Sequence, residues 1–288
     1  MQLNELLKIC IKKLNNAAIE ASTHEAGVIL CHILNVDRAF LYAHPEKLLN
    51  EETIGKVIAL IDKRCERLPL QQLLGEQEFM SLPFMVDENV LIPRQDTEIL
   101  VETVIQYGDK VPGVLNILDL GTGSGCIAIS LAKYINNSNV TAVDISDAAL
   151  KIAKKNAESN EVAGKVRFIK SDLFFALPKN ESFHVIVSNP PYIPTEDIKS
   201  LEPEVRDCEP MLALDGGADG LDFYRRITEN AKEYLKDKGA IAFEVGIFQA
   251  EMVSQILKEN GYTDIKIIKD LSGIDRVVFG RLIPSRAL

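Results

Sequence analysis

The sequence predicts an α/β fold: a mostly parallel, doubly wound sheet with helices on both faces, carried behind a small helical bundle. Three observations predict it. From Leu115 onward, short apolar runs alternate with amphipathic helical stretches, the signature of βαβ units. A glycine-rich turn, Asp119-Leu-Gly-Thr-Gly-Ser-Gly125, stands where the first of those runs gives way to a helix. The first 75 residues, in contrast, keep a helical period and show no such alternation. A length of 288 residues suits one large domain or two smaller ones, and 47% hydrophobic with 26% charged residues is the mix of a globular chain.

In order along the chain, Leu3, Leu6, Leu7, Ile11 and Leu14 fall on one face of a first helix. A second fits Ser22–Leu34, with Ser22 as N-cap and Glu25 completing a capping box. A third fits Glu51–Arg67 and stops before Pro69. This segment holds no glycine-rich loop, so it reads either as a bundle that binds a partner or as a structural cap. Gly75–Ile92 changes to extended runs broken by Ser-Leu-Pro and Asp-Glu-Asn, consistent with a β-hairpin between two domains, and Asp96–Tyr107 resumes a helix. Strands are then expected at Leu115–Gly121, Asn139–Ser146, Val166–Asp172, Phe183–Tyr192, Gly239–Gly246, Tyr262–Asp270 and Asp275–Leu282, with helices at Cys126–Tyr134, Ala148–Asn160, Leu221–Leu235 and Ile247–Asn260. Only Leu271–Ile274 joins the last two strands, too short a crossover for a parallel pair, so they are expected to be antiparallel.

Composition removes several classes. With 32 Lys+Arg against 42 Asp+Glu the net charge is −10, which disfavours general polyanion binding. Lys8, Lys12 and Lys13 interrupt the first apolar pattern, so no secretory signal is expected, and no apolar run is long enough to span a bilayer. Cys10, Cys31, Cys65, Cys126 and Cys208 are odd in number and scattered, with no C-x-x-C pair and no nearby pair of histidines. The expectation is free thiols in a reducing cytoplasm and no metal site.

Glycines at 121, 123 and 125 let the backbone turn tightly and let a ligand approach the helix that follows. Asp144 ends the next strand, where a carboxylate can accept hydrogen bonds from ribose hydroxyls. A dinucleotide fingerprint requires glycine at 126, where this chain has Cys126. The spacing Gly121-Thr122-Gly123-Ser124-Gly125, with Asp119 two places ahead, favours S-adenosylmethionine over NAD. A tight βα connection with no ligand is the plain alternative. Asp172 ends the third strand and would face an adenine amino group with Leu173 packing on the ring; otherwise it caps the next turn.

Asn189-Pro-Pro-Tyr192 closes the fourth strand. Two prolines hold an extended turn rigid. That rigidity can aim the Asn189 carboxamide and the Pro190 carbonyl at one planar –NH₂ group, in an amide or an exocyclic base amine. Accepting its two N–H bonds orients a poor nucleophile and eases the positive charge of attack. Tyr192 can cover the flat substrate face. A sulfonium methyl is already electrophilic, so positioning does most of the work.

These residues resemble the PrmC/HemK methyltransferases, which modify a glutamine side-chain amide in class-1 peptide-chain release factors. The resemblance spans nearly the whole chain. It rests on Gly75-Glu-Gln-Glu-Phe79, Leu91-Ile-Pro-Arg-Gln-Asp-Thr-Glu98, Asp119–Gly125, Asn189–Tyr192, Glu202-Pro-Glu204, Ala213–Leu221 and Gly273–Arg281. It implies the class I S-adenosylmethionine-dependent methyltransferase fold, Rossmann-like, with a seven-stranded sheet whose last strand is antiparallel. Residues 1–75 would be a helical bundle that docks the release factor, 76–92 a hairpin linker, and 93–288 the methyltransferase domain. Gly121, Thr122, Gly123, Ser124, Gly125, Asp144, Asp172, Leu173 and Asn189 would hold S-adenosylmethionine, released as S-adenosylhomocysteine. Asn189, Pro190, Pro191 and Tyr192 would hold the glutamine of a Gly-Gly-Gln tripeptide, with Asn189, Pro190 and Tyr192 catalytic. Gln95, Met80 and Leu173 depart from the residues common at those places. Asn-Pro-Pro-Tyr alone is shared with adenine-amino methyltransferases of DNA and RNA, the competing reading. Between Pro190 and Asp222 stand nine acids and two bases, a local excess that would repel a phosphate backbone and suit a basic protein loop.

Overall fold

The structure, a computed structural model, describes residues 1–282. It divides into two compact units. One comprises Met1–Glu76 with Glu202–Cys208; the other comprises Gln77–Leu201 and the chain from Glu209 onward.

The first unit is helical: α1 (Leu3–Asn16), α2 (Ser22–Leu34), α3 (Arg38–Ala43), α4 (Glu51–Cys65) and α5 (Leu70–Leu74). The predicted stripe of α1 is its core face. Leu3, Leu6, Cys10 and Leu14 are buried against Ile29 and Leu30 of α2 and Val57 and Ile61 of α4. Each such aliphatic side chain, fully buried, contributes about 1.5–3 kcal/mol. The capping box expected at Ser22 does not form. Ala21 is the N-cap, and the Ser22 hydroxyl instead donates to Asn15 Oδ1 at 2.7 Å. Glu25 is drawn to the almost fully buried Arg64, whose Nε donates to it at 2.6 Å. A buried guanidinium needs acceptors more than a helix end open to water does. Arg64 also donates to Glu204 at 3.0 Å, and Arg67 reaches the same carboxylate at 3.1 Å. These bonds fasten the short helix α9 (Pro203–Arg206) to this unit. Neither α3 nor α5 was expected; both are single-turn-scale elements too short for a periodic signal.

A two-stranded sheet follows, β1 (Glu76–Phe79) and β2 (Leu82–Met85), and from Gln77 on it belongs to the second unit. The hairpin expected as a linker packs into this unit's core through Phe79 and Phe84, whose rings meet edge-on. A 3₁₀ turn at Gln95–Thr97 leads into α6 (Glu98–Gly108). Then follow β3 (Leu115–Leu120), α7 (Cys126–Tyr134), β4 (Ser138–Asp144), α8 (Asp147–Ser159), β5 (Val166–Lys170) and β6 (Phe183–Ser188). After α10 (Met211–Leu214) come α11 (Asp222–Ala231), β7 (Leu235–Glu244), α12 (Ala250–Glu259), β8 (Tyr262–Lys269) and β9 (Asp275–Leu282). The seven-stranded order is β5-β4-β3-β6-β7-β9-β8, with β9 antiparallel to both neighbours and the remainder parallel. This is the class I methyltransferase fold.

Strand alternation builds a core on each face. Leu115 and Ile117 join Val185 and Val187 under α6 and α7, while Leu118 and Leu120 join Ile186 and Phe243 under α11 and α12. Register then decides where the chemistry can sit. Leu120 pairs with Val143 on one side and Ser188 on the other, and Ser188 pairs with Phe243. Asp144, Gly121, Asn189 and Glu244 therefore come in one row at the carboxyl edge of the sheet, where α/β folds bind ligands.

Candidate active site

The glycine-rich turn forms as its composition requires. Gly121, Gly123 and Gly125 all have positive φ, at 72°, 54° and 83°. They are glycine for two different reasons. A Cβ on Gly125 would stand 2.8 Å from Ile129 Cδ1 and 3.1 Å from Ala153 Cβ, so close helix packing excludes it. A Cβ on Gly121 or Gly123 would meet nothing within 4 Å. Those two face open space, where a side chain would intrude on a ligand. Buried Cys126 begins α7 at the place a dinucleotide fold reserves for glycine.

Asp144 closes the turn. Its Oδ2 accepts the Gly123 N–H at 2.8 Å and its Oδ1 accepts the Ser146 N–H at 2.9 Å. Burial raises its pKa, and those backbone donors hold it back. Asp119 lies deeper. Its Oδ2 accepts the Thr122 hydroxyl at 2.6 Å, and burial pushes its pKa to about 7. The open glycines and the tethered Asp144 fit S-adenosylmethionine.

Asp172 and Leu173 depart in part from expectation. The Asp172 carboxylate is half-exposed and grips Arg226 through both oxygens, each at 2.8 Å. Leu173 adopts φ 48° and packs, partly buried, on the core beneath α11. The strand expected to run to Asp172 stops at Lys170, so Asp172 lies two residues beyond β5 in the following turn, with an arginine across it.

The Asn189–Tyr192 turn is clamped from three directions. The Ser188 hydroxyl donates to the Leu120 carbonyl at 2.7 Å, tying this turn to the glycine-rich one. Asn189 Nδ2 donates to Thr97 Oγ1 at 3.4 Å. Gln249 Nε2 donates to the Tyr192 carbonyl at 2.8 Å while its Oε1 accepts the Gly246 N–H at 3.0 Å. The Gly216–Gly220 loop presses on the same backbone. A Cβ at Gly216 would stand 2.7 Å from Tyr192 Cα, and one at Gly220 would collide with the Tyr192 carbonyl oxygen. Half-buried Tyr192 shares its surroundings with Glu244, Arg276, Arg94 and Asp96 and has its phenol pKa raised by burial.

Comparison with known proteins gives the family. Residues 5–75 match the PrmC N-terminal domain, and residues 95–202 match the methyltransferase small domain. A release factor glutamine methyltransferase of Geobacter sulfurreducens is 44% identical over 92% of this chain and 91% of its own length. One from Clostridium botulinum is 40% identical over 98% of this chain and 99% of its own. The chain belongs to the release factor glutamine methyltransferases. At the level of fold alone, a methyltransferase from Pyrococcus furiosus shares it with a TM-score of 0.51 at 18% identity, covering 71% of this chain and 90% of the other.

In this member of the release factor glutamine methyltransferases, residues outside the sequence-predicted set brace the Asn189–Tyr192 turn. Arg94 donates to both oxygens of Glu209 at 2.8 Å, and the Glu209 side chain is almost fully buried. Thr97, Glu244 and Gln249 are not among the residues that the sequence motifs single out. Thr97 lies in the Pro93–Glu98 stretch that carried the resemblance, and Glu244 is the only acid in the Ala240–Val245 run. A lone carboxylate in a buried strand was the available signal.

Proposed function

We propose that this chain transfers a methyl group from S-adenosylmethionine to the side-chain amide nitrogen of the glutamine in the Gly-Gly-Gln tripeptide of class-1 peptide-chain release factors. The observation that carries this reading is the union of two turns. Gly121–Gly125 and Asn189–Tyr192 leave adjacent strands and are joined by the Ser188–Leu120 hydrogen bond. Family membership supplies the acceptor.

In this reading Thr122, Ser124 and the three glycines shape the cofactor's bed, and Asp144 accepts hydrogen bonds from the ribose hydroxyls. Asp172 still has lone pairs free beside Arg226 with which to accept from the adenine amino group, and Leu173 flanks the ring. When bound, S-adenosylmethionine supplies an electrophilic sulfonium methyl. Asn189 and the Pro190 carbonyl accept the two N–H bonds of the glutamine amide. They place its nitrogen in line and stabilise the charge that grows there until a proton leaves. Pro191 keeps the turn stiff, and Tyr192 lies along the amide plane. The helical unit, residues 1–75, docks the body of the release factor. Such a substrate places the enzyme in the cytoplasm.

The test is methylation of purified release factor by the wild-type chain and by Asn189→Ala, with melting temperature as a control. Turnover should fall by about 10²–10³-fold, the loss on removing one preorganised hydrogen-bonding group at a developing charge. A folded variant that methylates at the wild-type rate contradicts the role of Asn189.

A further inference from the structure

We propose that Glu244 is a positioning residue: it determines which end of the Asn189 carboxamide faces the substrate. The inference rests on the methyl-transfer reading for its purpose, but its structural content stands apart from it. Glu244 ends β7 and is 2% exposed. Its backbone is pinned, paired to Val277 on β9 and accepting the Tyr224 hydroxyl at 2.8 Å. Because Phe243 pairs with Ser188, Glu244 emerges beside Asn189.

A carboxylate buried this deeply needs a reason. An ion pair does not provide it. Arg276 on β9 is the cation facing Glu244, but its guanidinium is engaged by Asp96 at 2.8 Å and Asp270 at 2.9 Å. Asp96, Tyr192 and the buried Cys126 thiol also share this space, and none of these carries a positive charge that could offset Glu244. The Thr97 and Asn189 side chains stand against the carboxylate and favour its charged form, while its Oε2 has no partner.

This arrangement is directional. An ionised carboxylate only accepts, so the Thr97 hydroxyl donates to Glu244 and offers its lone pair to Asn189 Nδ2. Both neighbours then favour the amino end of Asn189. The carboxamide oxygen is left for the substrate, as an acceptor for N–H groups must be. A flipped amide would set oxygen against oxygen. Protonated, Glu244 becomes a donor and the bias falls. Burial pushes its pKa to about 7, so the switch lies near neutrality.

The experiment follows the Asn189 side-chain amide by ¹⁵N NMR across pH in the full chain, with its signals assigned by their loss in Asn189→Ala. The expected result is a titration of those signals with a midpoint near 7 that disappears in Glu244→Gln. Amide signals invariant between about pH 5.5 and about pH 8.5 overturn the proposal whatever the protein methylates, and this wild-type result decides even if the variant does not fold. A titration that survives unchanged in a folded Glu244→Gln also overturns it. In the kinetic arm, Glu244→Gln should lower kcat about tenfold or more, leave the Kd of S-adenosylmethionine within about twofold, and abolish a rise in kcat through neutral pH. Wild-type kcat and pH profile in the variant would contradict the role. Absence of methylation by the wild-type chain would refute the acceptor assignment alone.

Discussion

Asn189 and Asp144 illustrate how unequally single residues reveal themselves. Asp144 ends β4 and Asn189 directly follows β6, but only Asn189 is marked locally in the sequence, by the two prolines after it. Asp144 was legible because its place after Gly121 follows from βαβ geometry. Its carboxylate is already committed to two backbone N–H groups, so it is rigid before any ligand arrives. Truncation to Ala should weaken S-adenosylmethionine binding by about 1–3 kcal/mol, the range for hydrogen bonds to a charged acceptor. Calorimetry showing unchanged affinity would mean that the ribose is held elsewhere. Thr97 was not legible as a partner of Asn189, because the two are 92 residues apart and no local pattern couples them. Glu244 was equally hidden: an acid at a strand end is ordinary until the fold buries it.

Elements followed the hydrophobic period closely and local polar chemistry less well. Helix α7 spans the residues expected, because its apolar pattern and the preceding Gly125 agree. The reading of α2 failed at its cap because the demand of buried Arg64 for Glu25 outweighed a local capping bond, a tertiary effect that no window of sequence contains. The β1–β2 turn is a second conflict. Met80 and Ser81 both adopt positive φ, at 50° and 56°, although neither is a residue that favours it. Register and the burial of Phe79 and Phe84 hold the turn at that cost. Ser81→Gly should raise the unfolding free energy by about 1 kcal/mol, measurable by denaturant titration, because glycine carries no left-handed penalty. A neutral or destabilising result would show that Ser81 makes a contribution that offsets its strain.

At the scale of the whole molecule, the net charge of −10 needs its distribution. The acid-rich segment after Asn189 looked like a field that would repel phosphate. The fold spends much of it. Glu204 is covered by Arg64 and Arg67, Glu209 by Arg94, and Asp219 and Asp222 by Arg225, while Glu196 and Asp207 pair within the segment. The argument against a nucleic-acid substrate is therefore weaker as long-range electrostatics than the bare count suggested. Family membership now carries that distinction, and so does the helical unit that matches the PrmC N-terminal domain. Among the described residues no helix is long and apolar enough to cross a membrane. The fold class was legible because alternation of strands and helices is a chain-wide signal. The exchange of residues 202–208 into the helical unit was not, because it depends on one buried arginine finding one distant glutamate.

The most direct test gives the wild-type chain methyl-labelled S-adenosylmethionine with purified class-1 release factor, and with DNA and RNA in separate reactions. Mass spectrometry then locates the label. Methyl on the glutamine side chain of the Gly-Gly-Gln tripeptide, and none on nucleic acid, is the predicted result. Label on adenine amino groups with the release factor unmodified would contradict it.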